Sequence, residues 1–274
     1  MDIAKIVGKT INGLVEVSPK LTGRLLLNLF CRPKEGRQYN SKDEAFLAKA
    51  EWKTLTLDGQ KIQCYRWGES TKKVLLAHGF NSNAARWRLL THLLLEEGFE
   101  VIALDVPAHG KSGWRRVNGI LYAQVLSKVI STYRPDFLVG HSFAGIATGY
   151  YLTQMEAIFP KKIVLMGVPN ELDQIAEVFF TVLGVKEKAK AAYFQSFEDI
   201  YGYPSSYFTL ANMFQQVAVP GLVIHDEQDD IAAFEGAKVI HQKWANSQFL
   251  ATKNLGHSLQ GKTVYSAIKD FLGA

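Results

Sequence analysis

Apolar positions along the chain change period twice, and each change marks a different kind of structure. Ile3, Ile6, Val7, Ile11, Leu14 and Val15 recur at helical spacing. Ser18-Pro19 then supplies an N-cap and a first-turn proline for a second helix through Leu21, Leu25, Leu26, Leu29 and Phe30. Arg32-Pro33-Lys34-Glu35-Gly36-Arg37 reads as a turn-rich linker. Two alternating runs, Trp52 to Leu57 and Ile62 to Trp67, flank Asp58-Gly59 and predict an antiparallel hairpin. From Lys73 onward the apolar runs become continuous: Lys73–Ala77, Val101–Leu104, Asp136–Val139, Lys162–Met166, Gly221–His225 and Gln248–Ala251. Helical patterns separate them over about Ala84–Glu97, Leu121–Thr132, a small-residue stretch from Phe143, Phe234–Ala245 and Thr263–Leu272. Strand and helix in alternation predict an α/β class, with a mostly parallel central sheet flanked by helices.

Residues about 170–216 break that rhythm. The segment is too long for an ordinary connection and has helical spacing of its own at Leu172, Ile175, Val178, Phe179 and Leu183. It reads as an inserted helical cap rich in rings: Phe179, Phe180, Tyr193, Phe194, Phe197, Tyr201, Tyr203, Tyr207 and Phe208. More than half of these are expected to bury the insertion, and some of the others to line an apolar substrate pocket. The expected division is an amphipathic helical segment over residues 1–50 and a larger domain over 51–274 that carries the insertion. Residues 1–31 have a cationic face, which leaves two docking readings: packing on a protein surface, or lying on an anionic membrane.

Charge sharpens this division. The net charge is +5, yet residues 1 to 50 hold nine Lys/Arg against five Asp/Glu, while the rest is close to balance. No basic stripe crosses the larger domain, so nucleic acid is not an expected partner. The two cysteines, Cys31 and Cys64, have no metal-like or disulfide-framework spacing. The start has no basic region feeding an apolar core, and no run approaches membrane-spanning length, so the expectation is a cytoplasmic protein. Oligomeric state is left open.

The stretch Phe137 to Gly145 carries the first candidate chemistry. An apolar run ends at Gly140, Ser142 follows, and helix spacing begins at Phe143, with Gly140, Ala144 and Gly145 small enough for strand and helix to approach. Read alone, Ser142 could equally be an ordinary helix cap. A serine hydroxyl needs a base to become a nucleophile, and the base needs a partner that fixes its tautomer. Asp229 follows the Gly221–His225 strand and His257 follows the Gln248–Ala251 strand. In a parallel sheet the carboxyl ends of strands share one edge, so these loops can converge beside Ser142. Asp226 and Asp230 are the competing carboxylates; the spacing from His225 favours Asp229.

With Leu75-Leu76-Ala77-His78-Gly79-Phe80, Asp105-Val106-Pro107-Ala108-His109-Gly110-Lys111-Ser112 and Gly140-His141-Ser142-Phe143-Ala144-Gly145 in this order, the chain from Trp52 to the C-terminus resembles the α/β-hydrolase superfamily. The resemblance implies the α/β-hydrolase fold, with Ser142 as nucleophile, His257 as general base and then acid, and Asp229 as orienting carboxylate. It also implies an oxyanion hole from the backbone N–H groups of Phe80 and Phe143, a small-molecule acyl substrate, and no metal or organic cofactor. A serine at the elbow argues against the haloalkane dehalogenases and epoxide hydrolases of this fold, which use aspartate there. Ala108 and Ala144 depart from the family's usual glycines. The function implied is hydrolysis of carboxylic esters or thioesters with small to medium apolar acyl groups. The other reading is a small-molecule binding protein or receptor with little turnover. His78 and His109 are expected to brace loops, and His141 to pack or hydrogen-bond beside the serine.

Overall fold

The computed structural model describes residues 3–34, 36 and 38–273; Glu35 and Arg37 of the expected linker lie outside the described residues. Contacts divide the chain into two compact units, Met1–Arg32 with Glu171–Thr209, and Pro33–Asn170 with Leu210–Ala274. This differs from a boundary at residue 50 with an insertion over 170–216. An amphipathic pattern shows that a helix has an apolar face but is silent about what covers it.

In the smaller unit, α1 (Ile3–Val17) and α2 (Pro19–Phe30) bury Ile11, Val15, Leu26 and Leu27 in one cluster with residues of α7 (Leu172–Leu183) and α8 (Glu187–Tyr201). The Ser18 side chain accepts from the Leu21 amide, as its position before Pro19 predicts. Phe30 meets Phe179 and Tyr193 edge-on at 5.5 and 5.8 Å, so much of the ring content of the insertion is spent within this unit. Asn12 joins the turn between α7 and α8 at both ends: its amide donates to the Gly184 carbonyl, and its oxygen accepts from the Lys186 N–H. On the outer side of α2, Leu21, Leu25 and Leu29 are exposed beside Lys20 and Arg24. No helix among the described residues is long and apolar enough to cross a membrane.

The larger unit is built on one eight-stranded sheet. Its strands are β1 (Glu51–Leu57), β2 (Gln60–Trp67), β3 (Lys73–Ala77), β4 (Glu100–Leu104), β5 (Phe137–His141), β6 (Lys162–Met166), β7 (Gly221–Asp226) and β8 (Ser247–Thr252). They lie in the order β1-β2-β4-β3-β5-β6-β7-β8; the expected hairpin is antiparallel and the other strands run parallel to one another. Every residue of β4, β5 and β7 is buried, which is why these strands read as continuous apolar runs. On one face Val74, Leu76, Val101, Ala103, Val139, Val164 and Ile224 share a core with α4 (Arg88–Glu96) and α11 (Lys262–Gly273). The strand order reverses between β3 and β5, and such a switch point opens a crevice at the carboxyl ends of the strands.

Asp105, at the end of β4, gathers the elements around that crevice. Its buried carboxylate accepts from the Ala84 and Lys111 amides, at 3.0 Å each, and from the hydroxyls of Tyr65 and Tyr39. Burial still raises its pKa above the ordinary carboxylate value, with those hydrogen bonds opposing. Tyr39 precedes α3 (Ser41–Leu47), a helix missed by the apolar pattern although Asn40 and Asp43 form a capping box. Ala108 takes φ of 69°, the left-handed conformation for which the family pattern keeps a glycine.

Two helix crossings in the smaller unit depend on glycine. A Cβ at Gly8 would lie 1.6 Å from the Leu183 carbonyl oxygen, and one at Gly23 would lie 2.0 Å from that of Ala192, whereas at Gly13 it would meet nothing within 4 Å. Gly8→Ala and Gly23→Ala are each expected to destabilise the protein by about 1–3 kcal/mol through overpacking. Gly13→Ala is expected to stabilise it by about 1 kcal/mol through helix propensity. Urea melts of the three variants give the test, with opposite signs expected for the same chemical change.

Candidate active site

Ser142 stands between β5 and α6 (Phe143–Gln154) with φ of 54° and ψ of −120°, a backbone conformation that costs a non-glycine residue of order 1–3 kcal/mol. Its surroundings hold it there: the Ser142 N–H donates to the Met166 carbonyl at 2.9 Å, and the Gly145 N–H donates to the Ser142 carbonyl at 2.8 Å. Sheet register decides what lies alongside. Ala77 pairs with Gly140, so Gly79, two residues on, comes beside Ser142; a Cβ there would be 2.8 Å from the Ser142 Cβ. At Gly145 an added Cβ would stand 2.4 Å from Val168 Cγ1, but at Gly140 it would make only an ordinary 3.5 Å contact with Ala144. Of the two glycines expected to allow the approach of strand and helix, Gly145 makes a tight one and Gly140 does not, and Gly79 makes another.

A chain of hydrogen bonds starts from the serine. Ser142 Oγ lies 2.9 Å from His257 Nε2, and His257 Nδ1 lies 2.8 Å from Asp229 Oδ2 and 3.1 Å from Oδ1. A carboxylate can only accept, so Nδ1 carries the proton and Nε2 presents a lone pair to the serine hydroxyl. Asp229 Oδ1 also accepts from the amides of Ile231 and Ala232, both at 2.9 Å, and His225 Nε2 lies 3.2 Å from Oδ2. Burial alone would raise this carboxyl. The hydrogen bonds from His225, His257 and the Ala232 amide outweigh it and hold Asp229 well below the usual carboxylate range. It is thus an anion whenever His257 needs a partner.

The competing carboxylates are elsewhere. Asp226 accepts from the Thr252 hydroxyl at 2.8 Å, the Leu255 amide at 3.1 Å and the Gln228 amide at 3.0 Å, tying the loop after β8 to the end of β7. Asp230 is exposed.

The three motif histidines are buried, each with its tautomer set by a donor that cannot reverse. His78 Nε2 accepts from the Val106 N–H at 3.1 Å, so its Nδ1–H donates to the Gly79 carbonyl at 2.8 Å. His109 Nε2 accepts from the Asn81 N–H at 3.0 Å, and its Nδ1–H donates to the Pro107 carbonyl at 2.9 Å. His141 Nδ1 faces the guanidinium of Arg86, which leaves its Nε2–H for the His257 carbonyl at 2.8 Å. Burial pushes His78 and His141 well below the ordinary imidazole value; His109 adds to the effect at His78, and Arg86 at His141. These histidines serve as neutral braces. Motif spacing does not find Arg86, since nothing local distinguishes it from any helical arginine.

Phe80 follows Gly79, and Phe143 opens α6, where the first N–H has no intrahelical acceptor. Their rings meet edge-to-face at 5.9 Å. His109 stacks edge-on against Phe80 at 5.5 Å, and its bond to the Asn81 amide holds the same loop.

Comparison with known proteins agrees with this architecture. The family model described as the alpha/beta hydrolase family matches residues 74–262. An esterase of Mycobacterium tuberculosis is 32% identical over 123 residues, 43% of this chain and 40% of that protein. The acetyltransferase component of an acetoin cleaving system from Cupriavidus necator is 31% identical over 103 residues, 36% of this chain and 27% of its own length. The match thus spans less than half of either relative. Among solved structures, an esterase from Exiguobacterium antarcticum superposes with a TM-score of 0.62 at 19% identity, over 80% of this chain and 97% of its own; that likeness is one of fold. The family match covers more than half of the chain and makes this protein a member of the alpha/beta hydrolase family.

Proposed function

We propose that the protein is a serine esterase that hydrolyses carboxylic esters, or thioesters, of small to medium apolar acyl groups through an acyl-enzyme. The observation that carries this reading is the 2.9 Å contact between Ser142 Oγ and the unprotonated nitrogen of a histidine whose other nitrogen is held by buried Asp229. A relative named as an esterase lends further support.

Ser142 Oγ bonds to the acyl carbon while its proton passes to His257 Nε2. Asp229 stabilises the imidazolium that forms, without taking the proton. The negative charge that develops on the carbonyl oxygen is placed for the backbone N–H groups of Phe80 and Phe143, fixed dipoles that need no reorganisation. His257 then protonates the departing alcohol or thiol. In the second half, water loses a proton to His257 and bonds to the acyl carbon, and His257 returns the proton to Ser142 as the carboxylic acid leaves. The apolar acyl preference is supported by the rings of Phe80 and Phe143, which meet edge-to-face on the residues that follow Gly79 and Ser142.

A fluorophosphonate probe is expected to label Ser142 covalently, and Ser142→Ala to abolish both labelling and hydrolysis of p-nitrophenyl esters. Full activity in the alanine variant would exclude the mechanism. Labelling without turnover on any ester or thioester of graded chain length would favour the binding-protein reading. Asp229→Asn replaces an acceptor by an amide that can donate to His257, which favours the wrong tautomer; turnover at neutral pH is expected to fall ~10⁴-fold with little change in KM. Steady-state kinetics on the same ester check the split.

A further inference from the structure

His257 lies in a segment that does not hold its own shape. It belongs to a single 3₁₀ turn, Gly256–Ser258, and Asn254, Gly256 and Leu259 all take left-handed backbone conformations, with φ of 63°, 55° and 50°. Two of these are not glycine, and such conformations persist only where outside contacts over-determine them. Before the histidine those contacts are amides: Asn254 N–H donates to Gln228 Oε1, and Leu255 N–H to Asp226. At and after the histidine, the groups held are carbonyls, those of His257 and Ser258.

Both donors come from side chains outside the segment. His141 Nε2–H donates to the His257 carbonyl at 2.8 Å, and Arg86 Nη2 donates to the Ser258 carbonyl at 2.9 Å. The two side chains are joined, because Arg86 Nη1 donates to His141 Nδ1. A guanidinium has no acceptor, so that contact obliges His141 to keep its proton on Nε2, facing His257. Arg86 is itself fixed. It sits in the short 3₁₀ helix Ala84–Trp87, whose Ala84 amide is bound by Asp105 and whose Ala85 amide is capped by Asn83, and its guanidinium lies 4.8 Å over the Trp87 ring. Among the described residues it forms no ion pair with a carboxylate. Burial brings its pKa down to about 10, which leaves it a cation at neutral pH. Its guanidinium donates to one imidazole and one carbonyl beside Ser142's own neighbour.

We propose that Arg86 and His141 are positioning residues, a two-part clamp that holds the backbone of His257 and Ser258 so that His257 Nε2 stays on Ser142. The proposal rests on Ser142 and His257 acting as nucleophile and base. A displacement of about 1 Å in a base can cost ~10²-fold in rate.

The test is the rate of fluorophosphonate labelling, with kcat and KM on one ester, for Arg86→Met, His141→Leu, His141→Gln and the Arg86→Met/His141→Leu double variant. Arg86→Met and His141→Leu should each label and turn over ~10²-fold more slowly, with KM within about twofold of wild type. A glutamine side-chain amide can donate to the His257 carbonyl and accept from Arg86, so His141→Gln should recover most of the rate. The double variant should lose little more than either single one, because both break the same clamp. Wild-type rates in Arg86→Met, a glutamine variant as slow as the leucine variant, or multiplied losses in the double variant would each overturn the clamp. If His141→Leu does not fold, Arg86→Lys decides: one ammonium cannot reach both acceptors, and a wild-type rate there also overturns it. Ser142→Ala, run alongside, separates the two ideas. Retained labelling and activity in that variant would sink the nucleophile assignment itself.

Discussion

The strained backbone of Ser142 is the constraint on which the site depends. At φ of 54° and ψ of −120° the residue occupies a conformation that a free chain avoids, and only a rigid junction can keep it there. The parallel sheet supplies that rigidity. β5 is buried along its whole length, its neighbours β3 and β6 fix its register, and the Met166 carbonyl takes the serine N–H. The strain has a chemical use. It lifts the hydroxyl to the end of the strand, at the switch point, while α6 starts immediately and offers an N–H beside it.

Around this junction the polar groups divide into braces and actors. His78, His109 and His141 are buried, neutral, and locked into one tautomer by backbone amides or by a guanidinium. None of them has a lone pair left for the serine. His257 differs because its fixed nitrogen meets a carboxylate and its other nitrogen meets Ser142 Oγ. In a setting where buried polar groups find partners, this directional accounting leaves His257 as the histidine that presents a lone pair to Ser142. Asp229 is kept ionised by four donors against the cost of its burial, while the nearby Asp226 spends its own acceptors on the loop that carries His257.

The smaller unit is governed by a different constraint, the close crossing of helices. Gly8 and Gly23 let α1 and α2 approach backbone atoms of α7 and α8, and the aromatic residues of the insertion fill the core that results, with Phe30 among them. That packing joins the start of the chain to a segment about 170 residues later, an association no local pattern could announce.

What the sequence alone determined follows from short-range physics. Helix and strand periods, the cap at Ser18, the hairpin at Asp58-Gly59 and the order Ser142, Asp229, His257 depend on neighbours a few residues apart, or on the fact that parallel strands share one carboxyl edge. Those features carried the α/β class and the elbow. Tertiary structure alone decided which tautomer His78, His109 and His141 each keep, that Arg86 belongs beside the site, and that the first two helices pack with the insertion. Each of these is a choice of partner across long stretches of chain. Register and close packing make that choice, and neither leaves a trace in local periodicity.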